Sequence, residues 1–368
     1  MKRTLIALGV AAAVVAPIAN AAPTVYGRLN VTVQSVDNDS RSDEVVQVAS
    51  NASRIGVKGE EKLTDSLSAV YLIEWGFEAD ASSSSTSNVS GGGGGTVSTT
   101  NSDLTQRNRF LGLKHKSLGT IKAGKIDTLV KQAEGKVDQF GDLSFADIEG
   151  VLGAQGGPAR ADNVIEYNSP KIADLVDFNL QLIQGEETTA SGTAAPKRNG
   201  LADGYSTSVV LSSGPFWATV AYEKDVSTRT AGWSQTLAPR STLLSDGTIR
   251  VGASYELKDL GLTVGALYQQ ADLVNAAGAD QGEEAGFVVS GALKLGKNVV
   301  AKLQHGQSTY ERVGGATDVD LTQTTVGFDY NFSKTTKAFG FYSAHNSDNN
   351  TVSDQDANIY GIGLQHNF

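Results

Sequence analysis

The sequence predicts an all-β protein, a transmembrane antiparallel β-barrel of about sixteen strands with short turns at one end and long loops at the other. Three observations carry that expectation: an export leader, period-two alternation of apolar and polar residues along the rest of the chain, and connections that alternate between short and long.

The leader comes first. Lys2 and Arg3 form a positive head, residues 5–16 are almost wholly apolar, Pro17 ends the run, and Ala19-Asn20-Ala21 supplies small residues before a cleavage point. The run is shorter than the roughly 20 residues a helix needs to cross a bilayer. The expectation is a signal peptide over 1–21, cleaved after Ala21, followed by a single barrel domain over 22–368.

Composition narrows the class. The chain has 368 residues and a net charge of −10, and the leader holds two cations and no acid, so the remainder is more acidic still. Such a balance without a basic tract argues against a nucleic-acid partner. There is no cysteine, hence no disulfide framework and no thiolate metal site. With 41 glycines, 7 prolines and no long apolar run after the leader, the chain reads as mostly β.

Strand signals then recur. In 25–34, Val25, Leu29, Val31 and Val33 share one face, and Tyr26, Arg28, Asn30, Thr32 and Gln34 the other. In 67–77, Leu67, Ala69, Tyr71, Ile73, Trp75 and Phe77 share a face opposite Glu74 and Gly76. In 358–368, Tyr360, Ile362, Leu364, His366 and Phe368 do the same opposite Gly361, Gly363, Gln365 and Asn367. Strands are expected at 24–35, 47–59, 67–77, 106–115, 120–126, 161–168, 176–185, 205–211, 216–224, 248–257, 262–272, 285–294, 299–309, 321–332, 337–345 and 357–368. The short connections are 60–66, 116–119, 212–215, 258–261, 295–298 and 333–336. The long polar ones are 78–105, 127–160, 186–204, 225–247, 273–284, 310–320 and 346–356. This alternation suits a barrel with periplasmic turns and external loops. Only closure pairs every backbone group in hydrocarbon, and about sixteen strands leave a lumen wide enough for water. Segment 81–102, rich in Ser and Gly, has too little apolar surface to offset its ordering entropy and reads as an external loop, placed where it would be able to latch a neighbouring subunit.

The blocks VYGRLNVTVQ (25–34), SRIGVKGEEKLTDSLSAVYLIEW (53–75), RNRFLGLKHKSLGTIKAGKIDT (107–128), ARADNVIEYNSP (159–170) and YGIGLQHNF (360–368) make the sequence resemble the trimeric, sixteen-stranded general diffusion porins of Gram-negative bacteria. The resemblance covers essentially all of the chain after the leader. It implies an outer-membrane homotrimer passing small hydrophilic solutes and ions, embedded among lipid and lipopolysaccharide, with Phe368 as the aromatic terminus read by the barrel-assembly machinery. It also implies a basic cluster on the barrel wall facing an acidic third loop folded into the pore. The matching wall positions are Arg28, Arg54, Arg107 and Arg160; the loop, roughly 127–160, offers Asp138, Asp142, Asp147 and Glu149. Lys125 stands where the family often has arginine, keeping the cation but not the forked geometry. Independently of the resemblance, Arg28 alternates with Leu29, so it points inward if Leu29 meets lipid.

No catalytic residues, cofactor or metal are expected. The histidines at 115, 305, 345 and 366 are scattered, without metal-ligand spacing, and no nucleophile elbow is present. Glu60-Glu61 reads as a turn at a strand end. Acidic loops such as Asp348–Asp356 read as external charge that would suit divalent ions beside lipopolysaccharide. Two other readings stand beside the diffusion porin: a channel preferring anions or sugars, and a barrel with a structural, adhesive or hydrolytic role. A sugar channel wants an aromatic ladder in the pore, whereas Trp75 has lipid-facing parity and Trp217 and Trp233 lie apart.

Overall fold

The computed structural model describes residues 22–39, 43–80, 87–90, 96–99, 104–143, 145–152, 160–186, 199–226, 244–275, 278–315, 318–349 and 355–368. The leader with its cleavage point and most of segment 81–102 lie outside them.

The described strands form a closed antiparallel barrel. In chain order they are β1 Thr24–Asn38, β2 in two segments Val45–Ser50 and Arg54–Lys62, β3 Leu67–Phe77, β4 Leu104–His115, β5 Gly119–Asp127, β6 Arg160–Asn168, β7 Val176–Ile183 and β8 Gly204–Ser213. They continue with β9 Phe216–Lys224, β10 Leu244–Leu257, β11 Leu262–Val274, β12 Asp280–Leu295, β13 Val299–Arg312, β14 Val319–Asn331, β15 Thr336–Asn349 and β16 Gln355–Asn367. Each pairs with its sequence neighbours, and β1 closes on β16 from Arg28↔Asn367 to Asn38↔Ala357. A short hairpin, Ser87–Ser90 with Thr96–Thr99, stands apart from the wall.

Alternation dictates the two faces. Leu303, Val326, Phe328, Tyr342, Tyr360, Ile362 and Leu364 are exposed on the outside, where lipid would cover them, while Gln304, Thr325, Ser343 and Gln34 point in and are buried. Exposed aliphatic side chains on this scale would be a liability in water; on a barrel they mark the hydrocarbon band. At the seam, Gly27 N–H donates to Phe368 O (2.9 Å) and Phe368 N–H to Gly27 O (3.1 Å). The Phe368 ring lies over Gly27, in space a Cβ would occupy.

The observed strands differ from the sequence expectation at several ends and in one interior. The upper ends of β10, β12 and β15 run four to five residues further than the alternation suggested, because these hairpins rise above the hydrocarbon. And 47–59 is not one regular strand. Ser50 pairs with Val31 and Arg54 with Arg28, so Asn51, Ala52 and Ser53 stand opposite two residues. Ala52 takes φ 50°. The bulge flips the parity: Val46 and Val48 face out before it, Ile55 after it. Ser53 Oγ and Asn51 N–H saturate the Asn30 backbone, which fixes the irregularity. Glu60 and Glu61 belong to β2 rather than to the turn, and Glu60 pairs with Lys114 at 2.9 Å.

Candidate functional site

After β5 the chain turns into the barrel. Thr128 caps a one-turn helix, α1 (Leu129–Gln132), by accepting from Lys131 N–H at 3.2 Å; a second turn, α2 (Glu149–Leu152), follows before β6. Between them the third loop lies along the inner wall. Its apolar side chains dictate this. Val137, Ile148, Val151 and Leu152 bury against inward-facing Leu267, Val288, Tyr310 and Leu321, and Phe140, Leu143 and Ala146 against Val36, Phe339, Phe341 and Ile359.

The wall is shaped for it. Gly252, Gly265, Gly286, Gly306 and Gly327, one on each of β10 to β14, form a lane without side chains. A Cβ at each would meet, in turn, Ala133 O at 3.1 Å, Val137 Cα at 3.1 Å, Leu152 Cδ2 at 2.7 Å, Val151 Cγ1 at 2.6 Å and Phe140 Cε1 at 2.8 Å. Wall side chains flanking the lane donate to loop carbonyls that no regular structure satisfies. Gln269 reaches Leu152 O (2.9 Å), Lys302 reaches Gln139 O (3.0 Å), Ser308 reaches Val151 O (2.6 Å) and Gln323 reaches Asp147 O (2.9 Å). His345 Nε2 lies 2.8 Å from Phe145 O. Arg250, only 2% exposed, binds Val130 O at 3.0 Å and Glu134 at 3.1 Å and so holds α1.

The infolded loop leaves a chamber of about 740 Å³. Lys131, Glu134, Asp138, Asp142, Asp147 and Glu149 of the loop line it together with Arg28, Arg54, Arg107, Asp127 and Lys337 of the barrel. Two bulges aim the arginines. The first, at Asn51–Ser53, turns Arg54 inward. The second lies in β4, where Arg107 and Asn108 together face Glu74, so Arg107 enters the lumen while Arg109 points out onto Trp75 (5.5 Å to the ring centroid). Arg28 sits in regular β1.

Of the residues expected from sequence, Arg28, Arg54, Arg107, Asp138, Asp142, Asp147 and Glu149 meet in this chamber. Arg160 is set one layer back, paired with Asp127 at 3.0 Å and Asn108 at 3.1 Å. Lys125 faces outward with Arg109, on the same parity as outward Ile121 in the regularly alternating β5, and pairs with Asp162 at 2.7 Å; the bulge opposite it, Asp162–Asn163, belongs to β6. Sequence reasoning passed over Glu74, which binds Arg107 and Tyr26; its inward parity in 67–77 was the available signal. It also passed over Glu134, Lys131 and Lys337.

The charges are not equivalent. Asp142 bridges Arg28 and Arg54, the latter at 2.9 Å, which ties the loop tip to β1 and β2. Burial alone would raise its pKa, but the hydrogen bonds from Arg54 and the surrounding guanidinium charges outweigh that and hold it below the ordinary carboxylate value. Burial among protein atoms raises Glu134 despite the Arg250 and Lys131 charges beside it, and raises Asp138, Asp147 and Glu149, which neighbouring carboxylates push further; Asp138 and Glu149 reach about 7. Among the described residues no group of three or more His, Cys, Asp or Glu is arranged to hold a metal. The histidines stay dispersed: His305 on Thr324, His345 behind the loop, His366 on Thr336 and His115 at a turn.

Comparisons with known proteins agree with this architecture. Residues 7–350 match the Gram-negative porin family. The chain is 27% identical to the major outer membrane protein P.IB of Neisseria gonorrhoeae, with 92% of each chain covered, and 25% identical to the outer membrane porin protein 32 of Delftia acidovorans, with 99% and 95% covered. Among solved structures it is similar to Salmonella typhi OmpF in complex with daunomycin (TM-score 0.66, 17% identity, 94% and 97% covered) and to a trimer form of Vibrio cholerae OmpT (TM-score 0.62, 17% identity, 94% and 99% covered). A closed sixteen-stranded barrel with a loop folded into its lumen, matched to one family over most of its length, makes this chain a member of the Gram-negative porins, an outer-membrane channel for passive diffusion.

Proposed function

We propose that the chamber is the narrowest point of the channel and that its opposed charges select which small hydrophilic solutes and ions pass. The observation that carries this reading is the third loop, held against one wall and presenting carboxylates to a space also lined by Arg28, Arg54 and Arg107. Charges of both signs around one aqueous gap make a field across the diffusion path. Polar solutes align with it, while apolar ones must disturb oriented water. The work done is passage, not chemistry; no residue of the chamber is assigned a catalytic role. Arg160 acts through Asp127 as a support for the wall. The test is planar-bilayer conductance of Arg54→Ala with Arg107→Ala. Higher conductance and a shift toward cations are expected; unchanged conductance and selectivity would remove both residues from the constriction.

We also propose a homotrimer joined through the outer wall of β3–β6. In β4 and β5 the outward apolar run is short: Leu111, Leu113, Ile121 and Ala123, then Arg109 and Lys125 side by side. Arg109 stands six residues above His115, roughly 15 Å up a tilted strand and within an apolar band about 25 Å tall. A cation facing lipid at mid-height costs about 2–4 kcal/mol, whereas a second copy of the chain would offer it polar partners. Native electrophoresis of Arg109→Glu with Lys125→Glu should give folded monomers; a trimer band of undiminished strength would place the interface elsewhere. Phe368 is proposed as the signal read during assembly.

A further inference from the structure

We propose that the inner wall between the chamber and the short turns holds a binding site for small organic carboxylates with a compact apolar body, formed by Val70, Leu72 and Phe110 with Lys58 beside them. The site needs an open lumen and does not depend on where the channel is narrowest.

It begins as an anomaly of parity. Lumen-facing positions of a barrel are ordinarily polar, and those of β7, β8, β13 and β15 here carry Asn179, Gln181, Ser208, Gln304 and Ser343. β3 and β4 depart from this. Ile73, Leu111 and Leu113 are exposed on the outside, so alternation sends Val70, Leu72 and Phe110 inward. Leu72 stands directly opposite Phe110, and Val70 opposite Gly112. All three apolar side chains are half-buried, so each keeps surface open to the lumen. The third loop packs elsewhere: its apolar side chains bury against β1 and β11 to β16, and α1 lies against β7 to β10. An apolar solute body placed on the strip would release the water that now covers it.

The surrounding charges give the solute its sign. Lys58 stands opposite Leu72 across β2 and β3. Its ammonium lies 4.9 Å from the centroid of the Tyr26 ring and forms no ion pair among the described residues. The ring orders the ammonium without neutralising it. On the chamber side Arg28, Arg54 and Arg107 share only two carboxylates, Asp142 and Glu74, which leaves that wall positive. On the side of the turns Lys114 and Glu60 neutralise each other at 2.9 Å. At the far end Lys122 is held by Glu166 at 2.8 Å and lies 4.8 Å over the Phe110 ring, its stem crossing side-chain-free Gly112. Each of these carboxylates has its cation, whereas Lys58 has no acid, so the local field favours an anion.

The sheet sets the size. Lys58 and Phe110 are two strand spacings apart, about 10 Å. A solute spanning that gap rests its carboxylate on Lys58 and its apolar body on Leu72, Val70 and Phe110. Holding it weakly raises its flux at low concentration and makes that flux saturate at high concentration.

The test is the single-channel current of the purified protein in potassium chloride with millimolar potassium benzoate, each variant compared with its own current before addition. Benzoate should bring concentration-dependent interruptions or excess current noise. The effect should exceed several-fold that of acetate, which has the charge without the body, and of benzylammonium, which has the body with the opposite charge. Leu72→Asn and Lys58→Gln should each reduce the benzoate effect several-fold, and Lys58→Arg should retain it. No benzoate effect, an equal effect of acetate or benzylammonium, or a benzoate effect that survives Lys58→Gln would overturn the inference. Lys58 is exposed, so its variants decide the matter even if Leu72→Asn does not assemble.

Discussion

Replacing Gly306 by leucine is expected to push the third loop off the barrel wall and raise single-channel conductance, with larger and noisier openings than the native channel. Even a Cβ at this position would stand 2.6 Å from Val151 Cγ1 and 3.0 Å from Val288 Cγ2. A leucine side chain needs the space Val151 fills. Overpacking of this kind costs about 1–3 kcal/mol, and the loop yields more easily than the wall. Its described hold consists of separable apolar contacts and side-chain hydrogen bonds worth about 0.5–1.5 kcal/mol each. The wall at Gly306 is fixed by pairing to Val288 on one side and Gln323 on the other. Gly291→Leu is the control. Its side chain points away from the lumen into open space, with only Thr263 O within 4 Å, and conductance should not change. Equal conductance of both variants would show that the loop does not set the resistance of the channel.

Deleting Phe368 is expected to lower the yield of assembled barrel in cells far more than it lowers the stability of barrel refolded in detergent. The deletion removes two backbone hydrogen bonds to Gly27 and an aromatic ring seated over it. The neighbouring register from Arg28↔Asn367 to Asn38↔Ala357 remains to hold the seam. A local loss of that size leaves most of the closure intact. The assembly signal proposed for Phe368 would instead be lost altogether. Heat-modifiable mobility on electrophoresis compares the two settings: a similar deficit in both would reduce Phe368 to an ordinary seam residue.

Much of this architecture was legible because a barrel strand exposes its parity in the sequence. Segments 67–77 and 216–224 coincide with β3 and β9 to the residue, since alternation stops where the turn begins. The inward direction of Arg28 follows from Leu29 beside it. What escaped were the bulges. An extra residue in β2, at Asn51–Ser53, reads as noise in an alternating pattern, yet it reverses every side chain beyond it and turns Arg54 inward. Lys125 is the opposite case: β5 alternates without interruption, so its place on the outer face beside Ile121 and Ala123 was legible, although the family pattern had grouped it with the pore cations. The five lane glycines were visible as inward-parity positions, but their purpose emerges only when the loop that fills them is in place. The division of the acids into paired and unpaired was not legible either: Asp142 meets Arg28 and Arg54 across long stretches of chain, and nothing local distinguishes it from Asp138 or Asp147.

The seam between β1 and β16 also governs how such a chain can fold. Arg28 and Asn367, which pair across it and hydrogen-bond at 3.0 Å, are 339 residues apart in sequence. Every other wall contact can form between neighbouring hairpins, whereas this one requires ends that meet after everything between them has found its register. Contacts of such separation are slow to form. Until they do, β1 and β16 are bare strand edges with one apolar face, the geometry that recruits other chains into sheets. A nascent barrel of this kind therefore spends its most aggregation-prone interval with its two edges open, and a catalyst of its folding would act by templating one edge until the other arrives.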